Sequence, residues 1–419
     1  MTLPVRHLPV LQNWDCHGCT DCCREYVVHI TDEERMRIEE QGWSNLPEFQ
    51  GVEVVVREGS RRKPIYRLAH RADGSCVFLG EGGRCRIHEK FGGPTKPLGC
   101  RVYPFMLVPT DDHWRVGLRF ACPSAAGSKG RPLSEHAAEV KKYVAEYETR
   151  EFVAGRSLDA PPLQGRQTVP WSDLYIFVQG LGIVLGQSEY PIERRLRKCL
   201  ALAKLCRQAK FDKLTGERLQ DFLSILIGAV DDEVPADPAT LAPPSRIGRL
   251  LFRQILVLYA RKDTGMHKGR ASRNRLSLLA AAIGFARGSG KVPPINALLP
   301  ETTFEKLEEP AGPLPVESAQ MLERYFLMKV HSMQFVGATN FHLPFWDGLD
   351  SLILSFPIAM WLARALSHLP RAEAVQRALR IADDSFGFHP LLSSSRQKLS
   401  QRILSFRGEI PRLVAWYGR

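Results

Sequence analysis

The chain has 419 residues, 44% of them hydrophobic, and a formal net charge of +12. Its length excludes the small disulfide scaffolds, allows a sizeable hydrophobic core and predicts two or three domains. Residues 1–123 hold 17 Lys and Arg against 16 Asp and Glu, a net charge of +1, so nearly all of the positive charge lies in the remainder. We therefore expect any acidic partner to meet the C-terminal region.

Eight of the ten cysteines lie within the first 123 residues. They are Cys16, Cys19, Cys22, Cys23, Cys76, Cys85, Cys100 and Cys122. Gaps of two residues, as in the CxxCxxCC run that begins at Cys16, let successive thiolates turn towards one ion or cluster, and Gly18 relaxes the backbone between them. This is the spacing of metal ligands, so we predict that the eight thiols bind metal.

Two other uses of cysteine fit the sequence less well. Disulfide scaffolds belong to small secreted chains, whereas this chain begins Met-Thr-Leu-Pro-Val-Arg-His without an apolar signal core. We therefore expect reduced thiols and a cytoplasmic location. Buried structural thiols do not recur by chance at i, i+3, i+6 and i+7. Cys199 and Cys206, by contrast, lie seven residues apart on a predicted helix and are predicted to be core thiols.

The spacing leaves the identity of the metal open. The triplet that begins at Cys16, together with the remote Cys122-Pro123, resembles the iron–sulfur ligands of bacterial ferredoxins, which favours an iron–sulfur cluster. Four-thiolate zinc sites use similar CxxC pairs, so zinc is the alternative. Neighbouring side chains diverge, so Cys22 and Cys23 rarely bind one mononuclear ion. Two centres, one bridged centre or one unused thiol follow.

Basic side chains flank the cysteines. Four arginines adjoin candidate ligands, namely Arg24, Arg84, Arg86 and Arg101. They either compensate the negative charge of the thiolates or are ordinary surface arginines. Four histidines could add imidazole ligands, namely His17, His29, His70 and His88. With eight thiols available, we predict structural roles for these histidines.

The remaining pattern of the first 123 residues predicts a small mixed domain. Strand-like segments are Val27 to Ile30, Val52 to Arg57, Tyr66 to Leu68 and Trp114 to Phe120. Thr31, followed by three acidic residues, predicts the start of a helix that ends near Gln41. Glycines crowd the segments between the later cysteines, which suits loops folded around a metal centre. We therefore expect metal to nucleate this domain.

Beyond this domain the pattern becomes helical. A helix is predicted at Ser134 to Arg150 and a proline-containing linker at Gly155 to Pro170. Apolar residues at three- and four-residue steps then predict helices, at about Trp171 to Leu185, Pro191 to Phe211, Gly216 to Val230, Arg246 to Ala260, Leu276 to Phe285, Glu317 to Phe335, Leu349 to Leu369, Ala372 to Asp384 and Arg396 to Trp416. The prediction is an α+β protein: a small cysteine-rich metal-binding domain (1–123), a helix and linker (124–170) and a larger all-α helical domain (171–419).

The basic and apolar segments of the helical region give few indications of function. Seven basic residues share one predicted helix, namely Arg194, Arg195, Arg197, Lys198, Lys204, Arg207 and Lys210. We predict a solvated face, with a docking face for an acidic protein or nucleic acid as the alternative, because few aromatic residues interleave with the charges. A basic loop spans Arg261 to Arg275. The apolar stretch Leu349 to Leu366 is short and interrupted for a membrane span, so we predict a buried helix and no transmembrane segment.

Four ordered blocks of the first 123 residues resemble a known family. The blocks are Cys16 to Cys23, Ser75 to Leu79, Gly83 to Glu89 and Lys96 to Phe105. Together they resemble the CxxCxxCC cysteine-cluster proteins, the zinc- or iron-chelating domains. That family often has Tyr where His88 stands and Arg where Lys96 stands, and neither difference removes a thiol. The resemblance implies a metal-binding domain.

The layout of this domain before a long helical region is similar to that of the bacterial flagellin lysine N-methylases. The run Glu323-Arg324-Tyr325-Phe326 is also similar to a region of those enzymes. This resemblance implies methyl transfer from S-adenosylmethionine to a protein lysine, with a protein as substrate or partner. From the residues alone, the chain has no GxGxxG after a strand, P-loop, HExxH or nucleophile elbow. No catalytic residue or cofactor pocket is therefore predicted.

Overall fold

The computed structural model describes residues 4–7, 12–151, 158–261, 275–296 and 298–419. The strands are β1 (Val5–His7), β2 (Asn13–Trp14), β3 (His29–Ile30), β4 (Val55–Ser60), β5 (Lys63–Leu68), β6 (Phe105–Pro109), β7 (Trp114–Leu118) and β8 (Arg131–Pro132). The helices of the first 151 residues are α1 (Asp21–Glu25), α2 (Asp32–Glu40), α3 (Arg86–Phe91), α4 (Leu98–Val102), α5 (Pro123–Ala126) and α6 (Ala137–Glu151). The later helices are α7 (Trp171–Leu185), α8 (Ile192–Cys206), α9 (Gly216–Glu233), α10 (Arg246–Ala260), α11 (Arg275–Arg287), α12 (Phe304–Glu308), α13 (Val316–His331), α14 (Phe345–Ala365), α15 (Arg371–Ser385), α16 (Ser395–Phe406) and α17 (Glu409–Gly418). The predicted α+β class, a small strand-containing part before a larger helical region, is confirmed.

A small hydrophobic core lies under the sheet β3-β5-β4, whose strands pair antiparallel. Helix α2 covers it and begins with the predicted cap: the Thr31 hydroxyl accepts from the Glu34 N–H at 3.3 Å, and the Glu34 carboxylate accepts from the Thr31 N–H at 3.1 Å. The centre of this core is Trp43, whose ring packs 4.9 Å from Phe78 and 5.1 Å from Phe49. The segment between β3 and β4 and the segment after β5 are thereby held together by one aromatic cluster.

The second, larger core joins the hairpin β6-β7 to the helices. Strand β7 is buried along its length. It pairs antiparallel with β6 and parallel with β1. Arg115 on β7 donates to the His331 carbonyl at 2.6 Å, and Phe120 packs edge-on against Tyr325 at 5.2 Å. The domain boundary at residue 123 stays a prediction. The two hydrophobic cores interleave along the chain, since Trp14 and Leu98 pack in the larger core whereas Cys100 packs against the smaller one.

Helix α14 is the centre of the helical region. All but one of its residues have buried side chains, as predicted for this stretch, and it packs against α15 and α17. Within the described residues it alone has the length and apolar composition to cross a bilayer, and that stretch is wholly buried in the protein. The prediction of one helix from Arg396 to Trp416 is wrong: α16 and α17 meet at Gly408, whose φ of 63° is a conformation that favours glycine.

The predicted linker before α7 accepts hydrogen bonds from the first residues of α14. Its first residues, up to 157, lie outside the described residues. From Pro162 it packs closely: the Pro162 carbonyl accepts from the Phe345 N–H at 2.8 Å and the Leu163 carbonyl from the Trp346 N–H at 3.2 Å. These bonds satisfy N–H groups of the first helical turn, which have no partner inside the helix. This segment is therefore part of the packed structure.

Close packing against α14 gives a testable contrast between two helical glycines. A Cβ at Gly348 would overlap the backbone carbonyl of Phe335, which cannot rotate away, whereas a Cβ at Gly228 on α9 would meet nothing within 4 Å. We expect Gly348→Ala to lower the free energy of unfolding by about 1–3 kcal/mol. Gly228→Ala should raise it by about 0.5–1 kcal/mol, because alanine is the better helix former. Urea unfolding of both variants tests this, and equal effects would contradict the packing at Phe335.

Candidate metal centre

The CxxCxxCC run forms an exposed loop that enters the short helix α1. Cys16 and Cys19 lie in the loop, and Cys22 and Cys23 lie half-buried on α1 with their Sγ atoms 4.0 Å apart. The loop that precedes Cys85 packs directly on this run, since a Cβ at Gly83 would lie 2.6 Å from the Gly18 carbonyl oxygen. Gly83 also has φ of 79°, so glycine is required there on both grounds.

A first group of thiols consists of Cys16, Cys19, Cys22 and Cys122, because the charge of Cys16 acts on each of the other three. Cys19 is exposed as a residue, but neighbouring protein atoms partly exclude water from its thiol and thereby raise its pKa, and the charges of Cys122 and Cys16 raise it further. Hydrogen bonding to Cys23, then burial, raises the pKa of Cys22, and Cys16 and Cys19 add to this effect. Burial likewise raises the pKa of Cys122, with a contribution from Cys16. The remote Cys122 is thus brought beside the start of the chain.

Cys23, Cys76, Cys85 and Cys100 form a second group. Burial raises the pKa of Cys76 to about 12, and the charges of Cys23 and Cys85 contribute. Burial also raises the pKa of Cys100, with contributions from the other three thiols. The Cys76 N–H donates to the Cys23 carbonyl at 2.7 Å. Cys76, Cys85 and Cys100 all pack against the smaller core, whereas Cys122 belongs to the larger one.

The adjacent pair on α1 contributes one thiol to each group of four. The Sγ atoms of Cys22 and Cys23 lie 4.0 Å apart, so the two groups meet at this pair. Hydrogen bonding with Cys22 lowers the pKa of the Cys23 thiol, and the charges of Lys96 and Arg24 act in the same direction.

The donor set fits a thiophilic metal. Each group offers four sulfurs, the ligand set of structural zinc and of iron–sulfur clusters. Among the residues that the structure describes, no three Cys, His, Asp or Glu side chains converge into a preformed metal cage. All ten cysteines lie among the described residues and are free of disulfides. Metal would draw the thiols inward, which the exposed loop of Cys16 and Cys19 allows.

The predicted arginines divide between the two roles considered for them. The Arg101 Nη2 atom donates to both carboxylate oxygens of Glu146, at 2.6 and 2.7 Å, and Arg86 pairs with Glu48, so both arginines bind carboxylates. Arg84 is exposed on the surface. Arg24 alone of the four acts on a candidate ligand, since its charge lowers the pKa of Cys23.

Sequence reasoning missed Lys96, whose charge acts on both Cys23 and Cys100. The signal was present, because Lys96 stands at the position where the resembled family often has arginine. A cation at this position offsets the negative charge that two thiolates would bring into a partly buried site.

The predicted histidines make structural hydrogen bonds or face solvent. The His17 Nδ1 atom lies 2.8 Å from the Asp15 carbonyl oxygen and 3.2 Å from the Ser124 Oγ atom. The His70 Nε2 atom lies 3.2 Å from the Tyr26 carbonyl oxygen. His29 and His88 are exposed on the surface. That these histidines have structural roles and are not metal ligands stays a prediction.

Helix α15 binds the start of the cysteine-rich part through side chains on one face. Arg380 forms an ion pair with Asp21, the first residue of α1. One helical turn later, Asp384 accepts a hydrogen bond from the Tyr26 hydroxyl at 2.7 Å and pairs with Arg119 at 3.0 Å. Both ends of α1 are therefore attached to the helical region.

The segment before Cys122 is attached to α15 as well. The Ala121 N–H donates to the Asp383 carboxylate at 2.9 Å, and the Ala121 carbonyl accepts from Arg380 at 3.1 Å. Asp383 also pairs at 2.6 Å with Lys329 of α13, and both side chains are at most 1% exposed. Asp383 of this buried ion pair binds the backbone of Ala121, the residue before the candidate ligand Cys122. The ion pair therefore helps to position Cys122.

Three basic side chains of α8 form ion pairs inside the protein. Arg195 pairs with Glu323 at 3.0 Å, Arg197 pairs with Glu193 four residues earlier, and Lys198 is wholly buried against Asp231. The prediction of a solvated face is wrong for these three residues, because buried charges need partners: Arg195 and Lys198 find them on neighbouring helices and Arg197 finds its partner within α8. They are also unavailable to a nucleic acid. Most of the basic loop from Arg261 to Arg275 lies outside the described residues.

Cys199 and Cys206 are core thiols, as predicted from their spacing. Both are 1% exposed within the larger core, and burial raises the pKa of each to about 12. Thiols enclosed among the apolar side chains of a helical core behave as small hydrophobic residues. The candidate ligands are thereby confined to the cysteine-rich part.

Comparison with known proteins gives a family match for the cysteine-rich part and none for the helical region. No curated protein and no solved structure matches the chain. The resemblance to the flagellin lysine N-methylases is therefore not shown. Residues 15–123, which contain all eight thiols of the two groups, match the family CxxCxxCC, "Putative zinc- or iron-chelating domain".

Proposed function

We propose that the zinc- or iron-chelating domain holds two metal centres, one in each group of four thiols. The supporting observation is the division of eight thiols into four and four, with Cys22 assigned to the first group and Cys23 to the second. Four thiolates complete the coordination of a structural zinc ion or of an iron–sulfur cluster. One centre would leave four well-placed thiols without a ligand role.

We further propose iron–sulfur clusters in preference to zinc. The first group combines the triplet Cys16, Cys19 and Cys22 with Cys122, which precedes Pro123. Three close cysteines and one remote cysteine before proline form the ligand pattern of bacterial ferredoxins. A bound cluster would supply one-electron transfer or a structural crosslink between distant parts of the chain.

The helical region has the role of a platform in this proposal. Helix α15 holds both ends of α1 and the backbone before Cys122 through Arg380, Asp383 and Asp384. The first group of thiols is therefore anchored to a rigid helical core, while Cys16 and Cys19 face outward. That arrangement suits a protein partner or substrate that approaches the exposed loop. Nothing in the described structure favours the alternative of an S-adenosylmethionine-dependent lysine N-methylase.

Elemental and spectroscopic analysis of anaerobically purified protein tests the identity of the metal. We expect iron with acid-labile sulfide, and a brown protein whose broad visible absorption is bleached by dithionite. Colourless protein with about two zinc ions per chain would replace iron–sulfur by zinc and retain the two centres. Folded protein without metal would overturn the proposal.

A further inference from the structure

A cavity of about 280 Å³ lies where α12, the end of α14 and the start of α15 meet. Its lining includes the cations Lys306, Arg364 and Arg371 and one carboxylate, that of Glu309. Every lining residue belongs to the stretch 298–419, which the structure describes without a gap. The volume lies just below the usual range for drug-sized ligands and suits a smaller one. The excess of positive charge favours an anion.

Arg364 brings a buried charge to this cavity, since the residue is only 5% exposed. Its Nη1 atom donates to the Leu307 carbonyl at 3.1 Å and its Nη2 atom to the Arg419 carbonyl at 3.0 Å. Carbonyl groups hold the guanidinium in place but do not neutralise it. Burial lowers the pKa of Arg364 to about 10, and the charges of Arg371 and Arg419 act in the same direction, while Glu308 opposes them. A bound anion would stabilise this charge.

Two buried N–H groups of the lining residues have no acceptor. The Nε atoms of Arg364 and Arg371 are both buried and form no hydrogen bond within the described part of the chain. Buried donors in proteins nearly always have a partner, which is often an ordered water or a bound ion when no protein group supplies it. Two such donors on residues that line one cavity therefore indicate a bound acceptor.

The first turn of α15 adds backbone donors. The helix begins after Pro370, and no side chain caps its first N–H groups. The Ala374 N–H donates to the Pro370 carbonyl at 2.9 Å, so the N–H groups of residues 371–373 precede the first hydrogen bond of the helix. Ala374 lines the cavity, which places this turn at its edge. Helix N-termini favour anions because their free N–H groups and the helix dipole both attract negative charge.

The remaining lining defines the rest of the ligand. Ser367 offers a hydroxyl group, and Ala311, Ala363 and Leu369 offer apolar surface. Phosphate has more acceptor oxygens than a carboxylate, which matches donors from two arginines, a hydroxyl group and a helix N-terminus. We propose that the cavity binds a small phosphomonoester, with its phosphate at the two arginines and the first turn of α15 and its organic part against the apolar surface.

The acidic residues near this site do not oppose binding strongly. Glu309 is exposed, so solvent screens its repulsion of an anion. Glu373 lies in the first turn of α15 but pairs with Arg377, away from the lining. None of the residues that line the cavity belongs to the cysteine-rich part, so the site stands whether the bound metal is iron or zinc.

Calorimetry on the full-length protein as purified, in phosphate-free buffer, tests the proposal with three probes: phenyl phosphate, inorganic phosphate and benzoate. We expect phenyl phosphate to bind with one site per chain. Inorganic phosphate should bind more weakly because it lacks the apolar part, and benzoate more weakly because it has fewer acceptor oxygens. Absence of saturable binding by phenyl phosphate, or equal affinity for either of the other two probes, would overturn the proposal.

Three variants locate the site. Arg371→Gln should weaken binding of phenyl phosphate about tenfold, since it removes a charged donor. Glu309→Gln should strengthen binding roughly threefold, because it removes an exposed negative charge. Arg377→Gln is the matched control: it makes the same change on the same helix but outside this cavity, so affinity should be retained.

The change at Glu309 keeps the test independent of folding defects. Glu309 is exposed, so its variant is expected to fold, and damage to the structure would weaken binding instead of strengthening it. Weaker or unchanged binding in Glu309→Gln, or a loss in Arg377→Gln equal to that in Arg371→Gln, would contradict the assignment.

Discussion

Replacing Cys22 or Cys23 singly by serine will remove metal from one group of thiols and leave the other group loaded. Each variant will retain about half of the wild-type metal, because loss of one thiolate leaves three ligands around a centre that needs four. The two losses will be comparable, since the adjacent thiols belong to different groups. Metal and sulfide per chain after anaerobic purification are the quantities to measure.

Further serine variants assign the ligands. Cys16→Ser should lose the same metal as Cys22→Ser, and the double variant of these two should lose no more. Cys16→Ser combined with Cys23→Ser should lose all metal, because one ligand is then missing from each group. Cys199→Ser is the control and should match wild type, since that thiol is buried in the helical core. Complete loss in Cys22→Ser with no loss in Cys23→Ser would indicate one centre and an unused thiol.

Removing the buried carboxylate behind Cys122 should have the largest effect on the stability of the helical region. Asp383→Asn leaves the Lys329 ammonium buried without its counterion, which costs about 3–5 kcal/mol in the free energy of unfolding. Burial already lowers the pKa of Lys329, so the unfolded chain binds more protons there than the folded chain. The stability deficit should therefore narrow as the pH rises towards about 10.4, the ordinary pKa of lysine. Urea unfolding at several pH values measures both effects.

Two control variants distinguish the cost of an unpaired buried charge from the cost of losing an ion pair as such. Lys329→Met with Asp383→Leu removes both buried charges and should recover much of the stability lost in the single variant. Arg402→Gln breaks the exposed pair with Asp347 and should change stability by less than about 1 kcal/mol. If Asp383→Asn were as mild as Arg402→Gln, the buried pair would have no structural role.

Local sequence signals predicted much of the fold. Thr31 and Glu34 specify the start of α2 because the capping box uses residues three apart. The bounds of α7 and α10 follow from apolar periodicity and agree with the structure. The hairpin β6-β7 was only half predicted, since its place in the helical core depends on contacts with α13 that are distant in sequence.

The candidate ligands could also be predicted, but their grouping could not. Spacing predicts Cys22 and Cys23 as candidate ligands, yet which other thiols lie near each of them depends on how distant loops pack. The same limit applies to charge: the sequence cannot distinguish a solvated lysine from Lys198, which is buried against Asp231 on another helix. Long-range packing decides both questions.

We propose two metal centres in the cysteine-rich part, each with four thiolate ligands. Anomalous diffraction from crystals of the anaerobically purified protein, recorded at the absorption edge of the bound metal, locates the metal directly. We expect two separate peaks, one bounded by Cys16, Cys19, Cys22 and Cys122 and one by Cys23, Cys76, Cys85 and Cys100. A single peak, or one peak that takes ligands from both groups, would contradict it.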